Sequence, residues 1–264
     1  MPKYQIILRT CDIVHSLHNA PRPFNLDKRK LIKVCFRSMV KALEGHDYHF
    51  TIIADRLSDE MTKFFESFDH ITMIHGEFGN DASLRKCFEV ALTLPDEDWV
   101  YFVEDDYLHT PNAFKWITDL LEHHKEYIPK KNLLNRYLRI FKQRIDKRPI
   151  IIHTPDYLDR YIERYLQYSL IFVSRMCHWR QVSYTTFTVL MQVSTFKRYK
   201  EIMFYTTHGA DDGYLSHALY GGVYFGDRAL CLSPIPGVST HMHDGVMTPL
   251  VDWETLVNEY KAEG

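Results

Sequence analysis

The chain has no apolar run approaching the ~18 residues that a membrane-crossing helix needs. It has no CxxC pair. Its five cysteines (Cys11, Cys35, Cys87, Cys177 and Cys231) stand singly and are odd in number. That argues against a disulfide framework and a thiolate zinc site, and for reduced thiols in a reducing compartment. It has no excess of either charge: 32 basic residues face 34 acidic ones, so nothing global points to nucleic acid. Internal repeats and low-complexity tracts are missing, and Met1-Pro2-Lys3 runs directly into a strand-like segment, leaving no room for a signal peptide. These absences predict a soluble, cytoplasmic protein without a membrane anchor.

What is present is an alternation of strand and helix patterns. Tyr4–Thr10, Phe50–Asp55, Ile71–His75 and the run from Trp99 to Val103 are compact, largely apolar stretches of strand length. Between them, 26–43, 58–68 and 82–94 show helical spacing, with Asp27 and Ser58 as N-caps. Strands alternating with helices imply a parallel sheet wound by right-handed crossovers. A further helix is expected from Pro111 to about Tyr127, and a strand over Ile150–His153. The stretch 130–148 is basic with apolar residues at helical spacing; it would lie on an anionic membrane or partner, or simply cover the edge of the core. With no linker in sight, 1–264 reads as one domain, with 1–106 and 107–264 as its two halves.

Carboxylates gather where strands end. Asp12 and Asp55 close two strands, and Glu104-Asp105-Asp106 close a third. Three consecutive acids repel one another unless a cation sits among them, and hard oxygen ligands suit Mg²⁺ or Mn²⁺ shared with a phosphate. Strand parity puts Glu104 and Asp106 on one side and Asp105 on the other, which favours Asp106 as the metal ligand. Two further groups follow. Asp211-Asp212 lie between Gly209 and Gly213 ahead of an apolar helix-like run. His241 and His243 alternate on an extended segment, so their imidazoles face one side and could complete a metal site. A metal held by Asp106 and a late histidine, with Asp211 or Asp212 as base, divides the labour of a group transfer from a diphosphate.

In the order of these features the chain resembles the GT-A glycosyltransferases, in particular the family 2-like inverting enzymes. Glu104-Asp105-Asp106 matches the EDD form of that family's DXD motif, and Asp211-Asp212 resembles its helix-opening ED pair. The resemblance implies a Rossmann-like α/β fold with a central, mostly parallel sheet flanked by helices. It also implies a UDP- or GDP-sugar donor, a Mn²⁺ or Mg²⁺ ion and a glycan or glycolipid acceptor. Asp212 would be the general base and Asp211 its support, with Asp106, His241 and His243 on the metal. Arg9, Thr10, Asp12, Asp55, Arg85, Glu104 and Asp105 would serve the nucleotide sugar. The usual DDGSxD signature is reduced to Ala54-Asp55-Arg56-Leu57-Ser58-Asp59, and the QxxRW motif of processive members is missing, so a single-addition enzyme is expected. The competing expectations are a nucleotidyltransferase and a non-catalytic carbohydrate- or membrane-binding protein. The former normally carries a glycine-rich loop after the first strand, and no glycine occurs between Thr10 and Gly45.

Overall fold

Ile6, Ile7 and Leu8 are successive apolar residues and all three are buried, as a strand covered on both faces requires. They belong to β1 (Lys3–Thr10), the centre of the first half of the sheet in the computed structural model. The described residues are 1–13, 22–128, 147–162, 169–209, 211–220 and 228–262. β1 pairs in parallel with β2 (Asp47–Asp55) on one side and β4 (Trp99–Glu104) on the other, and β3 (Ile71–Gly76) adds outside β2. The crossovers are α1 (Lys28–Ala42), α2 (Asp59–Glu66) and α3 (Gly79–Leu92). The order β3-β2-β1-β4 means the chain leaves β1 in one direction and returns on its other side. The carboxyl ends of β1 and β4 therefore flank a topological switch point, where open α/β sheets bind ligands.

The second half extends the same sheet with shorter elements. In chain order these are β5 (Tyr107–His109), α4 (Ala113–Tyr127), β6 (Ile150–Ile152), β7 (Ile171–Val173), β8 (His178–Gln181) and β9 (Val189–Gln192). They continue with α5 (Val193–Arg198), α6 (Lys200–Tyr205), α7 (Asp212–Tyr220), β10 (Leu230–Ile235), β11 (Ser239–His241) and α8 (Trp253–Ala262). Among the described residues nine strands form one sheet in the order β3-β2-β1-β4-β9-β6-β10-β8-β7. β9 and β8 run against the other seven, so the sheet is mixed and mostly parallel in direction. The first four strands are parallel and the sheet mostly so, as expected, with β9 and β8 as its antiparallel members.

Helices cover both faces. On one, Ile6 and Leu8 meet Phe36 of α1, Phe65 of α2 and Phe114 of α4; on the other, Ile7 and Phe102 meet Phe88 of α3 and Phe196 of α5. A third cluster joins α1 to α8 through Val34, Leu108, Met242 and Trp253. It anchors the small antiparallel ribbon of β5 and β11 against the main sheet. The N-caps are as expected: Asp27 accepts from the Lys30 N–H at 2.8 Å, and Ser58 from the Met61 N–H at 3.4 Å. α3 begins three residues before the expected Ala82, because its cap comes from elsewhere: Asp55 at the end of β2 accepts from the N–H groups of Phe78 and Gly79.

All five cysteines are free thiols. Among the described residues no helix is long and apolar enough to cross a membrane. Most of the basic stretch 130–148, weighed as a membrane or partner contact against a cover for the core edge, lies outside the described residues. Gly237 leads into β11 through a tight passage, where an added Cβ would lie 2.6 Å from the Asp156 nitrogen and 2.5 Å from Thr248 Cγ2. Gly237→Ala is therefore expected to cost about 1–3 kcal/mol, seen as a lower urea midpoint. An unchanged midpoint would contradict the packing described.

Candidate active site

The three consecutive acids do three different things. Asp105 turns toward β1 and α1, where it accepts from Thr10 Oγ1 at 2.9 Å, the Cys11 N–H at 3.2 Å and Lys28 Nζ at 2.5 Å. Glu104 takes the guanidinium of Arg9, which also donates to Asn80 Oδ1 at 2.9 Å. Asp106 faces β11, with Oδ2 3.2 Å from His241 Nε2. Its Oδ1 is buried and has no hydrogen-bond partner among the described residues.

That orphaned oxygen has company. Among the described residues, one group of three metal-capable side chains converges: ligand atoms of Asp106, His241 and His243 all lie within 4.8 Å of one another. The three come from the β4–β5 turn and the end of β11, brought together by the β5–β11 ribbon. Underneath, the Tyr101 hydroxyl is shared with His109 Nε2 and Thr154 Oγ1, each at 2.9 Å, and Thr154 Oγ1 meets Ser239 Oγ at 2.6 Å. This buried polar chain ties β4, β5 and β11 together. Burial alone would lift the Asp106 carboxyl, but His241, with Lys28 and His243 behind it, holds it well below the usual carboxylate range. Burial likewise disfavours the His241 imidazolium, yet Asp106, backed by Glu104 and Asp105, keeps its pKa above the ordinary value. A half-buried carboxylate with one buried, unsatisfied oxygen beside two imidazoles fits a divalent cation.

The acid pair opens α7, where the charges of Glu104, Arg9 and His241 reach Asp212. Asp211 is the helix cap, its Oδ1 accepting from the Tyr214 N–H at 2.8 Å. Asp212 occupies the first turn and stands half-buried. Burial pushes its carboxyl up, and the negative charges of Glu104 and Asp211 outweigh the opposing pull of Arg9 and His241, so its pKa reaches about 6. Two of the charges that act on Asp212, Glu104 and Arg9, thus come from the other half of the chain.

Other residues expected at the site serve the scaffold. Asp12 accepts from the Ser58 N–H at 3.0 Å, Ser58 Oγ at 2.6 Å and Arg29 Nε at 2.8 Å, clamping the end of β1 to α2. Asp55 is spent on the start of α3 and on Arg56. Thr10 buttresses Asp105. Arg85 points along the outside of α3, paired with Glu89 at 3.3 Å and lying over the Phe204 ring, so it is not brought to the acid cluster.

Lys28 was not anticipated. It ion-pairs with Asp105, and its charge also reaches Asp106. One signal for it lies in the sequence: α1 opens with Lys28-Arg29-Lys30 and no acid in its first turn, against the helix dipole. A local rule broken in this way often marks a functional site.

No family model matches the chain, and no curated protein matches it. Among solved structures, S. aureus TarS 1–349 aligns with a TM-score of 0.47 at 14% identity, covering 88% of this chain and 60% of that one. The galactosyltransferase LgtC in complex with donor and acceptor sugar analogs aligns at 0.42 and 10% identity, covering 83% and 71%. Francisella tularensis 2-C-methyl-D-erythritol 4-phosphate cytidylyltransferase aligns at 0.45 and 10% identity, covering 98% and 99%. This chain spans 60% of the length of TarS 1–349. Likenesses this distant say nothing about activity.

Proposed function

We propose that the protein is a glycosyltransferase that moves one sugar from a nucleoside-diphosphate donor to a hydroxyl of a saccharide or glycolipid acceptor, with inversion. One observation carries this: the charges of Glu104 and His241 act on the half-buried Asp212, so a base lies within electrostatic reach of the Asp106–His241–His243 trio. The acceptor oxygen attacks the anomeric carbon, the bond from that carbon to the diphosphate oxygen breaks, and Asp212 takes the acceptor's proton. Direct displacement of this kind inverts the anomeric centre.

Asp106, His241 and His243 would hold a divalent cation, which when bound offsets charge on the departing diphosphate. Two imidazoles favour Mn²⁺ over Mg²⁺. Lys28 adds a fixed positive charge beside the same acids. Arg9, by gripping Glu104 and Asn80, keeps the end of β4 and the start of α3 in register.

The acceptor would enter past Tyr184, on whose hydroxyl the charges of Asp212 and Asp211 act. Tyr184 lines a cavity of about 110 Å³ together with Tyr157, Arg160 and Arg180. Aromatic rings beside guanidinium donors suit a polyhydroxylated ligand.

The test is to supply the full chain and Mn²⁺ with UDP- and GDP-sugars and a saccharide panel. Release of nucleoside diphosphate with sugar transfer is expected. Release of pyrophosphate from a nucleoside triphosphate and a sugar phosphate, with no transfer from any sugar nucleotide, would mean nucleotidyl transfer instead.

A further inference from the structure

Tyr107, the first residue of β5, is fully buried directly beneath the histidine pair. Its ring lies parallel to the His241 imidazole, centroids 4.9 Å apart and planes 5° apart. His241 in turn stacks on His243 at 4.4 Å and 25°. The stack follows from register, since Tyr107 and His241 are direct cross-strand partners in the β5–β11 ribbon. The tyrosine ring is itself held, because its hydroxyl meets Tyr157 Oη at 2.7 Å and Thr186 Oγ1 at 3.1 Å.

Metal-bound histidines are usually oriented by a hydrogen bond at the nitrogen that does not bind the ion. Among the described residues no hydrogen bond reaches His241 Nδ1; the imidazole is tied to Asp106 at Nε2 and stacks on His243 and on the held ring of Tyr107. We propose that Tyr107 is a positioning residue: its ring sets the plane of His241 and, through it, of His243, and the Tyr157–Thr186 hydroxyls lock that ring. The proposal rests on Asp106, His241 and His243 being metal ligands. Tyr157 also lines the cavity assigned to the acceptor, so one pair of tyrosine hydroxyls joins the wall of that cavity to the metal trio.

The experiment is a Mn²⁺ titration of the full chain, without donor or acceptor, followed by the free-ion electron paramagnetic resonance signal. The absorption bands of the Co²⁺-loaded protein give a second readout. Removing groups that orient metal ligands typically weakens affinity about 10–100-fold, so Tyr107→Leu should bind Mn²⁺ at least tenfold more weakly. Tyr107→Phe keeps the stack but frees the ring, and should lose about threefold, the scale of one neutral hydrogen bond. Tyr107→Leu that folds and holds Mn²⁺ as tightly as the unaltered protein overturns the proposal. If that variant does not fold, Tyr107→Phe and Tyr157→Phe decide: weaker Mn²⁺ binding or a shifted Co²⁺ band in either supports it, and no change in both overturns it. Asp106→Ala separates the two ideas. Unchanged Mn²⁺ affinity there removes the metal site and this proposal with it, whereas loss there beside an unaffected Tyr107→Leu sinks the role of Tyr107 alone.

Discussion

Asp212→Asn is expected to lower sugar-transfer turnover by about a thousandfold, within the range a positioned general base contributes. The amide is nearly isosteric, so the circular dichroism spectrum and Mn²⁺ affinity should stay as they are. Asp211→Asn is the informative contrast. Asp211 is exposed and caps α7, and asparagine caps about as well as aspartate, so turnover should change little. The pH dependence follows from the same geometry. Burial and Glu104 raise the Asp212 carboxyl to about 6, and a base must be deprotonated to act. The kcat/KM profile should therefore rise through about pH 6 to a plateau above it. Glu104→Gln removes one of the charges that raise Asp212, and should move that limb to lower pH. Turnover unaffected by Asp212→Asn, or a flat profile between pH 5 and 7, would take the base role from Asp212.

The second large effect is on the metal. Asp106→Ala or His243→Ala should weaken Mn²⁺ binding by about a hundredfold or more, since each removes a ligand outright where loss of a mere orienting partner already costs about 10–100-fold. Chelation should abolish transfer, and Mn²⁺ should restore it better than Mg²⁺, because imidazole is a poor partner for Mg²⁺. Asp105→Ala gives a different result. Asp105 binds Thr10, Cys11 and Lys28, so its loss should appear in the urea midpoint more than in Mn²⁺ affinity. Equal Mn²⁺ loss in Asp105→Ala and Asp106→Ala would contradict the division of labour among these acids.

Much of this site could be read in the chain because its cues are local. An apolar run ending in acids marks β4, and a two-residue alternation puts His241 and His243 on one side, where their rings do stack. Strand parity groups Glu104 with Asp106, but β4 ends at Glu104 and the two acids after it lie in a turn, so Glu104, Asp105 and Asp106 each take a different partner. The illegible part is tertiary. Asp12 and Asp55 are carboxylates at strand ends like the others, but Ser58 and the N–H groups of Phe78 and Gly79, distant in sequence, consume them. Arg85 lies at an inviting distance along the chain, yet its place on α3 turns it toward Glu89 and Phe204. β7, β8 and β9 are three or four residues long, too short for periodicity to reveal them or their antiparallel sense.

The proposed transfer depends most directly on an acceptor hydroxyl, deprotonated by Asp212, displacing the diphosphate from the face opposite it. Proton NMR of the product made from an α-linked sugar nucleotide measures this in one spectrum. A β-linked product is predicted. An α-linked product, formed with retention, would contradict the mechanism assigned to Asp212.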